Sequence, residues 1–192
     1  MEAKFDNREA WLLELGKRLN ASLFNDKMPK KFRVTCGWPS HHATSAKRRA
    51  IWQCFSPECS KDNTHELIIS MFLEDPMEIA GTLAHEMVHA IVGVEQGHKG
   101  PFRKLALDIG LEGKMTATYP GDSFKDKVNP TLEELGAYPH SQVDVLKVTQ
   151  KKQTTRLLKA ICECGYTVRI TKKWLEAVGN PFCPIHGPME VA

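Results

Sequence analysis

Leu12, Leu15, Leu19 and Leu23 recur every three or four positions near the start of the chain, with charged and polar residues between them. That spacing lays an apolar stripe along one face of a helix. Asp6 and Glu9 form a capping-box pattern at its start, and the periodicity ends near Asn25. Three short segments follow, KFRVTCGW (31–38), RAIWQCF (49–55) and HELIISMFL (65–73), each with period-two character or a β-branched apolar run, separated by Pro, Ser, Asn and Asp. They predict a small antiparallel or mixed sheet. A second helix is well marked at its start: Asp75 can cap it, Pro76 suits its first position and Glu78 completes a capping box. Ile79, Leu83, Met87, Val88 and Ile91 continue its apolar pattern to Gly93, a C-terminal stop. A further helix begins at Pro101 and carries Phe102, Leu105, Ala106 and Ile109 on one face.

From about Tyr119 to Thr155 the periodicity is lost, and Pro120, Gly121, Pro130, Gly136 and Pro139 stand among polar residues. This predicts a linker with room for a short helix at TLEELGAY. The expected organisation is an α+β domain over 1–119, a linker over 120–153 and a small module over 154–192, with no internal repeat and no low-complexity tract. At 192 residues and 42% hydrophobic, the chain is long enough for one such core and a small appendage. No run approaches the roughly 18 consecutive apolar residues of a membrane span. The first residues, MEAKFDNREAW, mix both charge signs, unlike a signal peptide. A soluble, cytoplasmic monomer is therefore expected, with its six cysteines reduced and clustered ones serving as metal ligands.

The second helix carries the first candidate chemistry. In LAHEMVHAIVGVEQGHKGPF (83–102), His85 and His89 lie four apart on one helical face and can offer imidazole nitrogens to one point. Glu86 is offset by one residue, so its carboxylate stands beside that point, free to contact a bound water. This is the arrangement of the HExxH zincin motif, in which zinc keeps one coordination position open. Composition alone produces HExxH in roughly 2% of such chains, so the capped helix and a following histidine raise the signal. His98, nine positions after His89, is within an extended reach of about 30 Å and can double back as the third ligand. Asp108 or Glu112 are alternative third ligands, and a core merely containing satisfied histidines is the plainer reading. The spacing to His98 departs from the metzincin pattern, and Met115 is expected to pack in the core.

Cys162, Cys164, Cys183 and His186 form C-x-C and C-x2-H pairs. Four such donors can close a tetrahedral zinc shell with no position left for chemistry, a structural zinc ribbon. Gly165 and Gly187 follow ligands and suit tight knuckle turns. The C-x-C pair is tighter than the usual C-x2-C, and free cysteines in a small core are the alternative. Cys36, Cys54 and Cys59 are expected as buried thiols, the rival being a third metal between Cys54 and Cys59.

The net charge is only +3, but it is unevenly distributed: Lys27 to Arg49 contains seven basic residues and no acidic one. Val145 to Lys173 holds eight against Glu163 alone. Such clusters can attract a polyanion, or simply aid solubility. In the ribbon, Tyr166 and Trp174 lie among Arg169, Lys172 and Lys173, where aromatic faces can stack on unpaired bases while cations hold phosphates; packing in the ribbon's own core is an equal account. Arg48 and Arg49, with Trp38 and Trp52, form a second such candidate, and sheet packing explains those tryptophans as well.

LAHEMVHAIVG followed by GHKGPF, preceded by a helix ending in LNASLFNDKMP and a small sheet, resembles the SprT-like domain shared by bacterial SprT proteins and eukaryotic Spartan proteases. The likeness spans residues 8 to about 111 and extends to the C-terminal ribbon. It implies a small zincin fold, with His85, His89 and His98 as zinc ligands and Glu86 as the catalytic glutamate. It also implies cleavage of proteins bound or crosslinked to DNA, as in DNA–protein crosslink repair, with single-stranded DNA as the favoured stimulus. No counterpart of the long recruiting tail of the eukaryotic enzymes is expected, and His98-Lys99-Gly100 stands where many members have Gly directly after the third histidine. The expectation is a zinc metalloendopeptidase with one catalytic and one structural Zn2+. The rival is a nucleic-acid-binding adaptor in which the ribbon does the work.

Overall fold

Asn7, not Asp6, caps the first helix: its side-chain oxygen accepts from the Ala10 N–H at 2.8 Å, and α1 runs Arg8–Phe24. Glu9 does not close a capping box; its carboxylate accepts from the Cys36 N–H at 3.2 Å and ties α1 to the first strand. The helix ends at Asn25, whose φ of 50° is a left-handed conformation that asparagine tolerates. The computed structural model describes residues 4–45, 49–148 and 157–191. They form an α+β protein in two compact units, Met1–Thr149 and Gln150–Ala192.

In the first unit, β1 (Phe32–Gly37), β2 (Trp52–Phe55) and β3 (His65–Ser70) make a mixed sheet of order β1-β3-β2. β1 and β3 are parallel, with Phe32 opposite His65, whereas β2 runs antiparallel to β3 with Trp52 opposite Ile69. β2 is therefore an edge strand. The next helix, α2 (Pro76–Val92), starts as its sequence predicts, with Asp75 Oδ1 accepting from the Glu78 N–H at 2.7 Å. Every residue from Ile79 to Ala90 is buried, which makes α2 the central element of the unit. α1, the sheet and α3 (Gly100–Asp108) pack around it, α3 through Phe102 and Ala106.

Two elements depart from the sequence reading. β4 (Leu111–Lys114) and β5 (Ala117–Pro120) form an antiparallel hairpin. Gly81 lets it lie close on α2: a Cβ there would come within 2.6 Å of the Pro120 ring. The segment expected as a linker over 120–153 instead supplies α4 (Asp122–Leu135), which buries Phe124, Val128, Leu132 and Leu135 in the same core. Pro130 lies inside this helix and costs about 3 kcal/mol. Burial of four large apolar side chains, at about 1.5–3 kcal/mol each, outweighs it. The chain beyond α4 stays on the core: Trp11 Nε1 donates to the Gly136 carbonyl at 3.3 Å, and Tyr138 packs edge-on to Trp11 at 5.0 Å. A single turn, α5 (Val145–Val148), closes the unit. No helix among the described residues is long and apolar enough to cross a membrane.

The second unit contains β6 (Leu157–Ile161), β7 (Thr167–Thr171), α6 (Lys172–Val178) and three two-residue strands, β8 (Phe182–Cys183), β9 (Gly187–Pro188) and β10 (Glu190–Val191). β6 lies between β10 and β7, both antiparallel to it. Its buried core consists of Ala160, Cys162, Cys183 and Met189, packed by Val168 and Val191. So little apolar burial cannot order a unit of this size unaided.

Candidate metal centres

α2 presents His85 and His89 from successive turns of one face, and the glycine-bearing turn after Val92 brings His98 back to them. Gly93 and Gly97 make that return at φ 95° and 54°. His98 Nε2 lies 3.1 Å from His85 Nε2 and 3.3 Å from His89 Nε2. Neither Asp108 nor Glu112 belongs to this cluster. Three imidazole nitrogens at these separations cannot all be satisfied by sharing protons among themselves. They fit a cation at their centre: with Zn–N near 2.0–2.1 Å, tetrahedral ligand atoms stand about 3.3–3.4 Å apart. Burial, reinforced by His89 and His98, lowers His85 to about 2, and burial with His98 lowers His89 to about 4. Burial lowers His98 as well. The neutral rings that a metal requires are thus the forms favoured at neutral pH.

Glu86 is 1% exposed, and one of its carboxylate oxygens stands 3.8 Å from His85 Nε2. That oxygen, Oε1, has no hydrogen-bond partner among the described residues, and burial raises the carboxyl well above its ordinary range. The cluster therefore combines three nitrogen donors with an adjacent carboxyl whose affinity for a proton is high.

Two supports of this cluster escaped the sequence reading. Thr118, on β5, places Oγ1 2.8 Å from His85 Nδ1. With Nε2 turned to a metal, Nδ1 carries the proton and donates to Thr118, which fixes the tautomer and the ring plane. Nothing in LEGKMTATYP marks this threonine, because its role depends on the hairpin docking over Gly81. Phe102 is the second support. It is fully buried, with its ring 4.7, 4.4 and 4.8 Å from those of His85, His89 and His98. Trp52, expected in a stacking surface, lies 4.8 Å from the His85 ring instead. Thr118→Val should lower zinc affinity at this cluster by about 10–100-fold, with Thr118→Ser restoring most of it, as read by competition with a chromophoric chelator.

In the second unit, Cys164 Sγ lies 3.7 Å from Cys183 Sγ, and His186 Nδ1 lies 3.4 and 3.7 Å from the sulfurs of Cys162 and Cys183. These exceed a disulfide bond but match a zinc tetrahedron, where Zn–S near 2.3 Å gives about 3.8 Å between sulfurs and about 3.5 Å from sulfur to nitrogen. Gly165 and Gly187 both sit at φ 85°, and the Gly165 N–H donates to the Cys162 carbonyl at 2.8 Å. That turn is what lets a C-x-C pair converge. Backbone N–H groups of Ile185 and His186 stabilise the Cys183 thiolate and lower the thiol to about 6. Both clusters can hold a metal ion; four donors close the second, and three leave the first open.

The other cysteines differ from expectation in part. Cys36 and Cys54 are half-buried, whereas Cys59 is exposed, and neither Cys54 nor Cys59 joins a metal-type cluster among the described residues. Of the expected nucleic-acid contacts, Arg169 lies exposed on β7 opposite Lys159, and Lys172, Lys173 and Trp174 form the first turn of α6. Tyr166 and Trp174 are 48% and 55% exposed, so neither packs into the ribbon core. Lys173 Nζ stands 5.6 Å from the Trp174 ring. Arg49 lies over Phe72 at 4.9 Å, with Trp38 edge-on to the same ring at 4.7 Å; Arg48 falls outside the described residues. Compared with known proteins, the chain matches no family model, no curated protein and no solved structure.

Proposed function

We propose that the chain is a zinc-dependent endopeptidase of the SprT type that cleaves proteins bound or crosslinked to DNA. The observation that carries this reading is the convergence of His85, His89 and His98 through Nε2, with the buried Glu86 carboxyl beside them. Zinc held there supplies Lewis acidity, lowering the pKa of a water to ~7 and polarising a peptide carbonyl. Glu86 accepts the proton of the attacking water and later delivers it to the leaving amine. Its burial suits the first transfer, since a carboxylate that binds a proton tightly is a better base than an exposed one. The three histidines stay neutral and fixed throughout, supported by Thr118 and Phe102. A metal held only for structure would not need the carboxylate, which disfavours the inactive adaptor.

The edge strand β2 offers backbone groups to an extended substrate, a mode that tolerates many sequences. Tolerance of that kind needs a gate. The proposed gate is nucleic acid bound by the second unit, where Trp174 and Tyr166 stack on unpaired bases while Arg169, Lys172 and Lys173 hold phosphates. The test is incubation of the pure protein with a DNA-binding protein as substrate, with and without single-stranded DNA. Cleavage is expected to rise when the DNA is added and to lose that rise in Trp174→Ala. Absence of cleavage in both conditions removes the peptidase reading, and cleavage indifferent to DNA removes the gate.

A further inference from the structure

Next to the histidine cluster, the segment leading into β2 and the β4–β5 hairpin border an open cleft of about 620 Å³, lined by Arg49, Ala50, Ile51, Trp52, Lys114, Thr116 and Ala117. Both walls reach the cluster: Trp52 packs on the His85 ring, and the hairpin that contributes Lys114 and Ala117 contributes Thr118 to His85 one residue later. The lining combines the apolar side chains of Ala50, Ile51, Trp52 and Ala117 with two cations, Arg49 and Lys114. No carboxylate lines the cleft among the described residues, and neither Arg49 nor Lys114 has an acidic partner there.

We infer that this cleft is a substrate subsite selecting an acidic side chain near the scissile bond. The inference rests on the peptidase reading and names what the site prefers. An extended peptide pairing with the free edge of β2 would run past Trp52. Its side chain on the cleft side would lay its aliphatic stem on Ile51 and Ala117 and its carboxylate between Arg49 and Lys114. A nucleic-acid phosphate shares the charge, but the apolar residues of the lining and the contacts of Trp52 and Thr118 with His85 favour a peptide.

The experiment uses the full-length, zinc-loaded Glu86→Gln protein, so that binding is read without turnover. Fluorescence anisotropy is measured at low salt with a labelled extended peptide carrying central glutamates, and with its glutamine and lysine counterparts. The glutamate peptide is expected to bind roughly fivefold to tenfold more tightly than the glutamine one, with the difference shrinking as salt is added. Adding Arg49→Gln and Lys114→Gln should abolish the difference, and Arg49→Glu with Lys114→Glu should reverse it toward the lysine peptide. Reversal also shows that the variants are folded. Equal binding of the three peptides, no binding of any, or a preference unmoved by these substitutions overturns the inference. So does a single-stranded oligonucleotide whose binding is lost with the same residues while no peptide discriminates. Cleavage by the wild-type protein is measured separately: no cleavage with the acidic preference intact sinks the peptidase reading alone, and cleavage without the preference sinks the subsite alone.

Discussion

Glu86→Gln is expected to cut peptide turnover by about a hundred- to ten-thousandfold, the usual contribution of a positioned base, while zinc at the histidine cluster is retained. Glutamine has nearly the same shape as this side chain, which is 1% exposed, so packing is not the variable. What is lost is the capacity to take a proton. The sign of the pH effect follows from the same burial. A base works only when ionised, so activity falls as pH drops through its pKa, and burial moves that limb above the ordinary carboxylate range. A bound divalent cation draws it part of the way back. Turnover against pH in wild type should therefore show an acidic limb that the variant lacks. Metal analysis completes the test: loss of zinc on this substitution would make Glu86 a ligand, and undiminished cleavage would remove it as the base.

Cys183→Ser is expected to unfold the second unit and leave the first intact. Cys183 is both a candidate ligand and one of the four buried core residues described there, so metal bound at this cluster would make binding and folding one process. The zinc content should fall by one ion per chain, and amide resonances of 157–191 should collapse to the narrow range of unfolded peptide while those of the first unit hold their positions. Acid should reproduce the effect. A thiol lowered to about 6 contributes stability that is complete above the ~8.5 of an unfolded cysteine and is lost as pH falls through its folded value, and a bound metal pushes that lower edge further down. A variant that kept both its dispersed spectrum and its zinc would show that the cluster is not a structural metal site.

The sequence was most informative where one local pattern decided the outcome. Asp75, Pro76 and the apolar run from Ile79 to Ile91 define α2, and four-residue spacing alone puts His85 and His89 on one face. The two cysteine pairs announced their cluster in the same way. Missed features depend on contacts distant in sequence. Pro130 reads as a breaker until the core that accepts Phe124, Val128, Leu132 and Leu135 is known, so the local pattern allows only a short helix at TLEELGAY where α4 runs from Asp122 to Leu135. Thr118 carries no local signal, because its partner lies 33 residues away across a hairpin whose approach depends on Gly81. Asn7 displaced Asp6 as the cap because Glu9, the expected reciprocal partner, is engaged by Cys36 instead.

Phe102 belongs to α3, yet its ring touches all three histidines, two of which belong to α2. Seating of that short helix and assembly of the donor triangle are consequently a single equilibrium. With zinc bound there as proposed, a chelator would act on tertiary structure as well as on chemistry, and the first unit's melting temperature is expected to rise with the concentration of free zinc.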